Sequence, residues 1–485
     1  MTSDSHRSLS RVTLTGLIWF MGQTVIARLS GLISQLFLAR LLIPEDFAVL
    51  ALAVTATAII GVLQDFGVED ILVQRSRRMA YWSTPALFVG LPLGLMSMAV
   101  VMILAPWAAR LYHSPQVAPM LYIMSVNMPL VAIATVPVAA LRHSMRFGFL
   151  AAYNSSELIL VQVATVLLAY FGLGAFAFAI PGPLAAAVRV IVFWRASRPK
   201  FHRLRRRQLR IMASQGGVLF ASKLTHALVN QGDYFILGLV ATKAELGAYY
   251  FSFRIAFQPV AALAGNFQAI LFPALSKFSH QPELQRDLAI EASEILAYLI
   301  MPIGWMIAAL APHLFPLVFG HKWDAAIPLT QILSIALAFD AIAWVAGALL
   351  NTRGEFTRAF QTAFFLAPVF FVAVGAGALA GSAYGAAWGV MVYYVIGGPV
   401  YYHVTFRRLG VSIGKILSIC FVPAILCAAT IGIVALLAPR AGLSPLPTAI
   451  AVGFLGGGGY LLALALTARE VFVKIMARFR SAISR

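Results

Sequence analysis

Three cations, Arg28, Lys223 and Arg254, stand inside long apolar runs, each among polar side chains at helical spacing. Lys223, His226, Asn230 and Asp233 fall at i, i+3, i+7 and i+10, which places them on one stripe of one helix. Arg254 and Gln258 are four apart, and Thr24, Arg28, Gly31 and Gln35 form one polar, small-residue face. Guanidinium and ammonium groups match phosphate oxygens, and arginine's fork donates two hydrogen bonds at once. Gln35, Asn230 and Gln258 carry amides suited to hydroxyls. Asp65, His226 and Asp233 are candidates for coupling to H+ or Na+. The plainer reading pairs Arg28 with Asp65 and Arg254 with Asp233 as ion pairs between helices, which add little net stability after desolvation. The expectation is a polar cleft with span one on its N-terminal side and spans seven and eight on its C-terminal side.

The elements that must carry these side chains are membrane helices. The chain has 485 residues, 61% hydrophobic and 11% charged, with a mean hydropathy of +0.87. Soluble domains carry about 25% charged residues, so soluble, disordered and fibrous classes are excluded. Fourteen apolar stretches approach the roughly 20 residues a spanning helix needs, from 13–39 to 446–467. The first is too long for a signal-peptide core and reads as a retained span with a cytosolic N-terminus. That orientation puts Arg40, Arg110, Lys243, Lys322 and Arg440 in external loops and Arg28, Arg189, Lys223 and Arg254 inside spans. The rest of the 36 Lys and Arg fall on cytosolic segments, as the positive-inside rule requires. The net charge of +19 is thus a matter of topology, and nucleic acid is not a partner.

The predicted fold is an all-α polytopic membrane protein of about 14 transmembrane helices with both termini cytosolic. ARLLIPEDFAVLALAV (39–54) resembles GLVATKAELGAYYFSF (238–253) at an offset of about 199, each with an acidic residue (Asp46, Glu245) in a short turn before a new helix. Six helices after six in the same orientation make a parallel repeat, as in many transporters. The predicted organisation is a six-helix lobe over 1–194, a basic cytosolic linker over 195–213, a second six-helix lobe over 214–406, two additional helices over 407–468 and a basic tail over 469–485. Phe472, Ile475, Met476, Phe479 and Ile483 share one face of that tail, which suits a cytosolic leaflet of anionic lipids.

Other features carry less weight. Gly410-Val-Ser-Ile-Gly414-Lys has the wrong glycine spacing for a phosphate loop and leads into an apolar span. Gly456 to Gly459 suit close helix packing, and Pro181-Gly-Pro183 suits a kink. Glu157 and Asn154 read as interfacial, Glu69 and Asp70 as solvated partners of Arg75 or Arg77, and Asp340 as a lone acid. Cys420 and Cys427, seven apart in one span, cannot bridge. No metal motif or cofactor site is present in the sequence pattern.

FLARLLIPEDFAVLALA (37–53) with LQDFGVEDILVQR (63–75) resembles the start of the polysaccharide transporter, or Wzx-like oligosaccharide flippase, branch of the multidrug/oligosaccharidyl-lipid/polysaccharide flippase superfamily. GDYFILGLVATKAELGAYYFSFRIAFQP (232–259) resembles that family's seventh and eighth helices, with Ala48 standing where the second half has Gly247. The resemblance implies a non-enzymatic protein of the bacterial inner (plasma) membrane. It would flip polyprenyl-diphosphate-linked oligosaccharide units outward by alternating access, for exopolysaccharide, capsule or O-antigen, with a polymerase and co-polymerase as partners. In relatives that flip the peptidoglycan precursor, cations on the first and eighth helices handle the diphosphate, and Arg28 and Arg254 occupy those helices here. The competing readings are a cation-coupled multidrug exporter, a peptidoglycan-precursor flippase and an integral-membrane glycosyltransferase or polymerase. An exporter of cationic drugs calls for acids in its cleft, and an enzyme for a large external loop rich in carboxylates. Neither is evident.

Overall fold

A chain this apolar can satisfy its backbone in lipid only through helices or closed barrels. The computed structural model describes residues 30–74, 79–144, 146–442 and 444–474, and these are helical with short turns and no strand among them. Eleven stretches of the described residues are long and apolar enough to cross a membrane. Arg28, and Ile475, Met476, Phe479 and Ile483 of the tail, lie outside the described residues.

The chain forms two compact units, Met1–Phe235 and Ile236–Arg485. The first contains α1 (30–41), α2 (Pro44–Asp65), α3 (Val68–Gln74), α4 (Met79–Leu111), α5 (Val117–Ser125), α6 (Asn127–His143), α7 (Phe147–Tyr170), α8 (Phe176–Ala179), α9 (Pro181–Ser197) and most of α10 (Arg206–Val240). A cluster of Val68, Leu72, Trp82, Val136 and Met212 ties α3, α4, α6 and α10 together. Gln208 donates to the Tyr81 carbonyl at 2.8 Å, and Gly216 passes Phe66 so closely that no Cβ fits between them. These contacts explain why the units divide inside α10, whereas the charge pattern places the division at the basic segment 195–213. The start of α10 is bound into the N-terminal unit by its own packing.

The second unit contains α11 (Lys243–Lys277), α12 (Pro282–Val318), α13 (Ala326–Thr352), α14 (Phe356–Phe406), α15 (Ile413–Cys427), α16 (Ile433–Leu437), α17 (Pro445–Ala451) and α18 (Gly457–Thr467). The most enclosed of these is α13, packed by α11, α12 and α14. A straight helix of 51 residues would reach about 77 Å, far beyond one bilayer. α14 breaks instead at Gly381 and at Ser382, whose φ is +52°. Its legs fold back so tightly that Gly377 and Gly385 leave no space for a side chain between them. This is the division read in the sequence between 359–380 and 384–405. Gly456 likewise approaches Ile431, where a Cβ would meet its Cα at 3.3 Å. Cys420 and Cys427 are buried free thiols.

The internal repeat has a structural counterpart. Asp46 accepts from the N–H of Ile43 at 3.2 Å, and Glu245 accepts from the N–H of Thr242 at 2.9 Å. In each case an acid in the first helical turn bonds back to the residue before the helix. Both members of the pair recur at the 199-residue offset of the sequence motif.

Candidate functional site

α2 ends at Asp65, and α10 runs past it because Gly216 has no side chain to hold it away from Phe66. The Lys223 ammonium meets Asp65 Oδ2 at 2.5 Å. Both side chains are partly open, 34% and 41%, so the pair is screened and contributes modestly to stability. Higher on the same two helices, the Thr55 hydroxyl donates to Gln231 Oε1 at 3.2 Å. Of the predicted stripe, Lys223 is half-buried, His226 and Asn230 are exposed and Asp233 is buried. Asp65 therefore pairs with Lys223, and Gln35 is buried on α1. Glu69 pairs with Arg142 at 2.5 Å, while Arg75 and Arg77, its expected partners, lie outside the described residues.

In the second unit, Arg254 stands eleven residues into α11, about 17 Å along its axis. It is half-buried, and none of the ion pairs among the described residues includes it. Gln258 follows one turn later, also half-buried. The third acid of interest, Asp340, accepts from the Trp344 indole at 3.1 Å and so is not alone.

One arrangement escaped the sequence reading. Arg189 on α9 grips Glu157 on α7 through two parallel bonds, Nε to Oε2 at 2.8 Å and Nη2 to Oε1 at 2.5 Å. Glu157 is only 11% exposed, so its reading as an interfacial group is corrected. The two helices form an antiparallel hairpin, and the residues stand sixteen positions either side of Leu173 in its turn. That equal spacing, with one cation and one acid inside adjacent apolar runs, is the signal that would have revealed the pair.

Arg254 and Gln258 thus offer a cationic and an amide group within the candidate membrane span Lys243–Lys277. Among the described residues no cluster of three or more metal-ligating side chains exists. A family model described as polysaccharide biosynthesis protein matches residues 37–328. The chain is 22% identical over 403 residues to the lipopolysaccharide biosynthesis protein WzxC of Escherichia coli (strain K12), covering 82% of each. It is 25% identical over 307 residues to the succinoglycan biosynthesis transport protein ExoT of Rhizobium meliloti (strain 1021), covering 62% of this chain and 61% of that one. In fold it resembles the solved lipid II flippase MurJ in an inward closed conformation, with a TM-score of 0.76 and 13% identity, covering 94% of this chain and 99% of that one.

Proposed function

This chain belongs to the polysaccharide biosynthesis protein family, and from that premise we propose that it moves polyprenyl-diphosphate-linked oligosaccharide units from the inner to the outer leaflet of the bacterial inner membrane. The relatives WzxC and ExoT, named for lipopolysaccharide biosynthesis and succinoglycan transport, support a transport role in polysaccharide assembly. On this reading the chain performs no covalent chemistry, has about fourteen spans with both ends cytosolic and works by alternating access.

Arg254 is the observation that carries the substrate assignment. A charge within a span costs about 2.5–3.5 kcal/mol even on lenient insertion scales, and no ion pair among the described residues offsets it. A lipid-linked diphosphate passing through the protein would supply the missing negative charge, while Gln258 and Asn230 would take sugar hydroxyls. Arg28, Lys223 and Gln35 complete the proposed set. The polyprenyl tail stays in lipid, because only the headgroup is barred from hydrocarbon. Moving about two negative charges outward through 100 mV, inside negative, releases roughly 4–5 kcal/mol, enough to bias the cycle without ATP. Asp233, buried on α10, is the group we assign to any coupling by H+ or Na+, with Asp65 and His226 as the alternatives.

A deletion strain tests the proposal. Complete repeat units should accumulate on the carrier lipid while surface polymer disappears. Unchanged pools with greater sensitivity to cationic drugs would replace this reading with that of an exporter.

A further inference from the structure

A cavity of about 380 Å³ lies within the first unit, between α6, α7 and α9. Asn127 reaches it from α6, Asn154, Ser155 and Glu157 from α7, and Gly182 and Arg189 from α9. Asn127 and Glu157 each stand ten residues from the start of their candidate spans, about 15 Å along each helix, so the cavity sits near mid-depth.

The Asn127, Asn154 and Ser155 side chains make no hydrogen bond among the described residues. The fork between Arg189 and Glu157 leaves Nη1 with its two N–H groups, and each carboxylate oxygen keeps a lone pair. Donors and acceptors therefore face one space in mixed array. Their net charge is zero, because the guanidinium is already matched by the carboxylate. A phosphate would have to compete with Glu157 for Arg189, and a cation with Arg189 for Glu157. Val131 and Leu158 line the remainder with apolar surface. Neutral rings with hydroxyls on their edges and C–H groups on their faces fit such a lining, and the volume lies at the small end of the range for small-molecule sites.

We infer that this cavity is a subsite for one neutral pyranose ring of the transported headgroup, separate from the cations that take its diphosphate. The inference rests on the flippase reading. Asn127 and Asn154 hold hydroxyls through their amides, Ser155 adds a hydroxyl, and the Arg189–Glu157 pair presents a fixed donor and acceptor edge.

The test is made in a deletion strain complemented with the full chain at matched membrane levels, reading carrier-linked repeat units and surface polymer. One variant is Asn127→Ala with Asn154→Ala, which removes the amides without overfilling the core. The other is Ala185→Leu, which places bulk in the cavity from α9. Both should raise the carrier-linked pool and lower surface polymer by about tenfold, the loss expected when one or two hydrogen bonds go unmade. Wild-type export by both variants overturns the subsite and leaves the flippase reading standing, because the empty strain still accumulates repeat units. A block by Ala185→Leu with wild-type export by the double asparagine variant also overturns it, since space but not recognition would matter. An empty strain that accumulates nothing removes the flippase reading itself, and the subsite with it.

Discussion

Asp46 Oδ1 accepts a hydrogen bond from the Ala175 N–H at 3.0 Å, joining the start of α2 to the turn after α7. Its other oxygen caps its own helix through Ile43. Gly174 makes this approach possible, with a φ of +54° and its missing Cβ only 2.9 Å from the Asp46 carboxylate. Asp46→Ala should therefore destabilise the first unit by about 1–3 kcal/mol, the sum of a lost cap and an unpaired N–H. Thermal unfolding of the purified protein in detergent measures this, and an unchanged melting temperature contradicts the latch. Gly174→Ala should lower it too, through strain and crowding.

The Arg189–Glu157 pair gives a prediction with an internal control. Glu157→Gln leaves a guanidinium inside a span without its counter-charge, which should destabilise by about 2–3 kcal/mol given that Arg189 retains some exposure. The exchange Glu157→Arg with Arg189→Glu should recover most of that loss. Equal melting temperatures for wild type and Glu157→Gln would show that the pair contributes nothing.

Gly216 sets the distance between α10 and α2. Gly216→Val should push the helices apart and separate Lys223 from Asp65. Cysteines placed at 65 and 223 should be joined readily by a short bifunctional thiol reagent in a wild-type background and poorly beside Gly216→Val. Cross-linking of equal yield would refute the spacing argument.

Arg254 has a different signature, because its proposed partner is the substrate. Arg254→Ala should abolish export while the protein stays in the membrane at wild-type level and melts no lower. Arg254→Lys should keep the charge but lose the fork, giving partial export. Export at wild-type rate by Arg254→Ala would remove the cation from the account.

The membrane helices and the family were legible in the sequence because they rest on composition, on the placement of Lys and Arg, and on local strings such as those around Asp46 and Glu245. The bond from Glu245 back to Thr242 was within reach for the same reason, spanning three residues. Lys223 draws notice in the sequence because it interrupts an apolar run, but its partner Asp65 is 158 positions away, and helical periodicity says nothing of which helices become neighbours. Glu157 and Arg189 were within reach of a hairpin argument and were missed because each was weighed singly. The division inside α10 depends on Met212 and Gly216 packing, which the charge of the preceding segment conceals.

The most direct measurement is of sidedness. Spheroplasts of the deletion strain, with and without the wild-type chain, are treated with a membrane-impermeant glycan-labelling reagent before the carrier lipids are extracted. A flippase should place a substantial share of carrier-linked repeat units within reach of the reagent, with almost none labelled in its absence although the total pool is larger. Equal labelling in the two strains would contradict transbilayer movement by this protein.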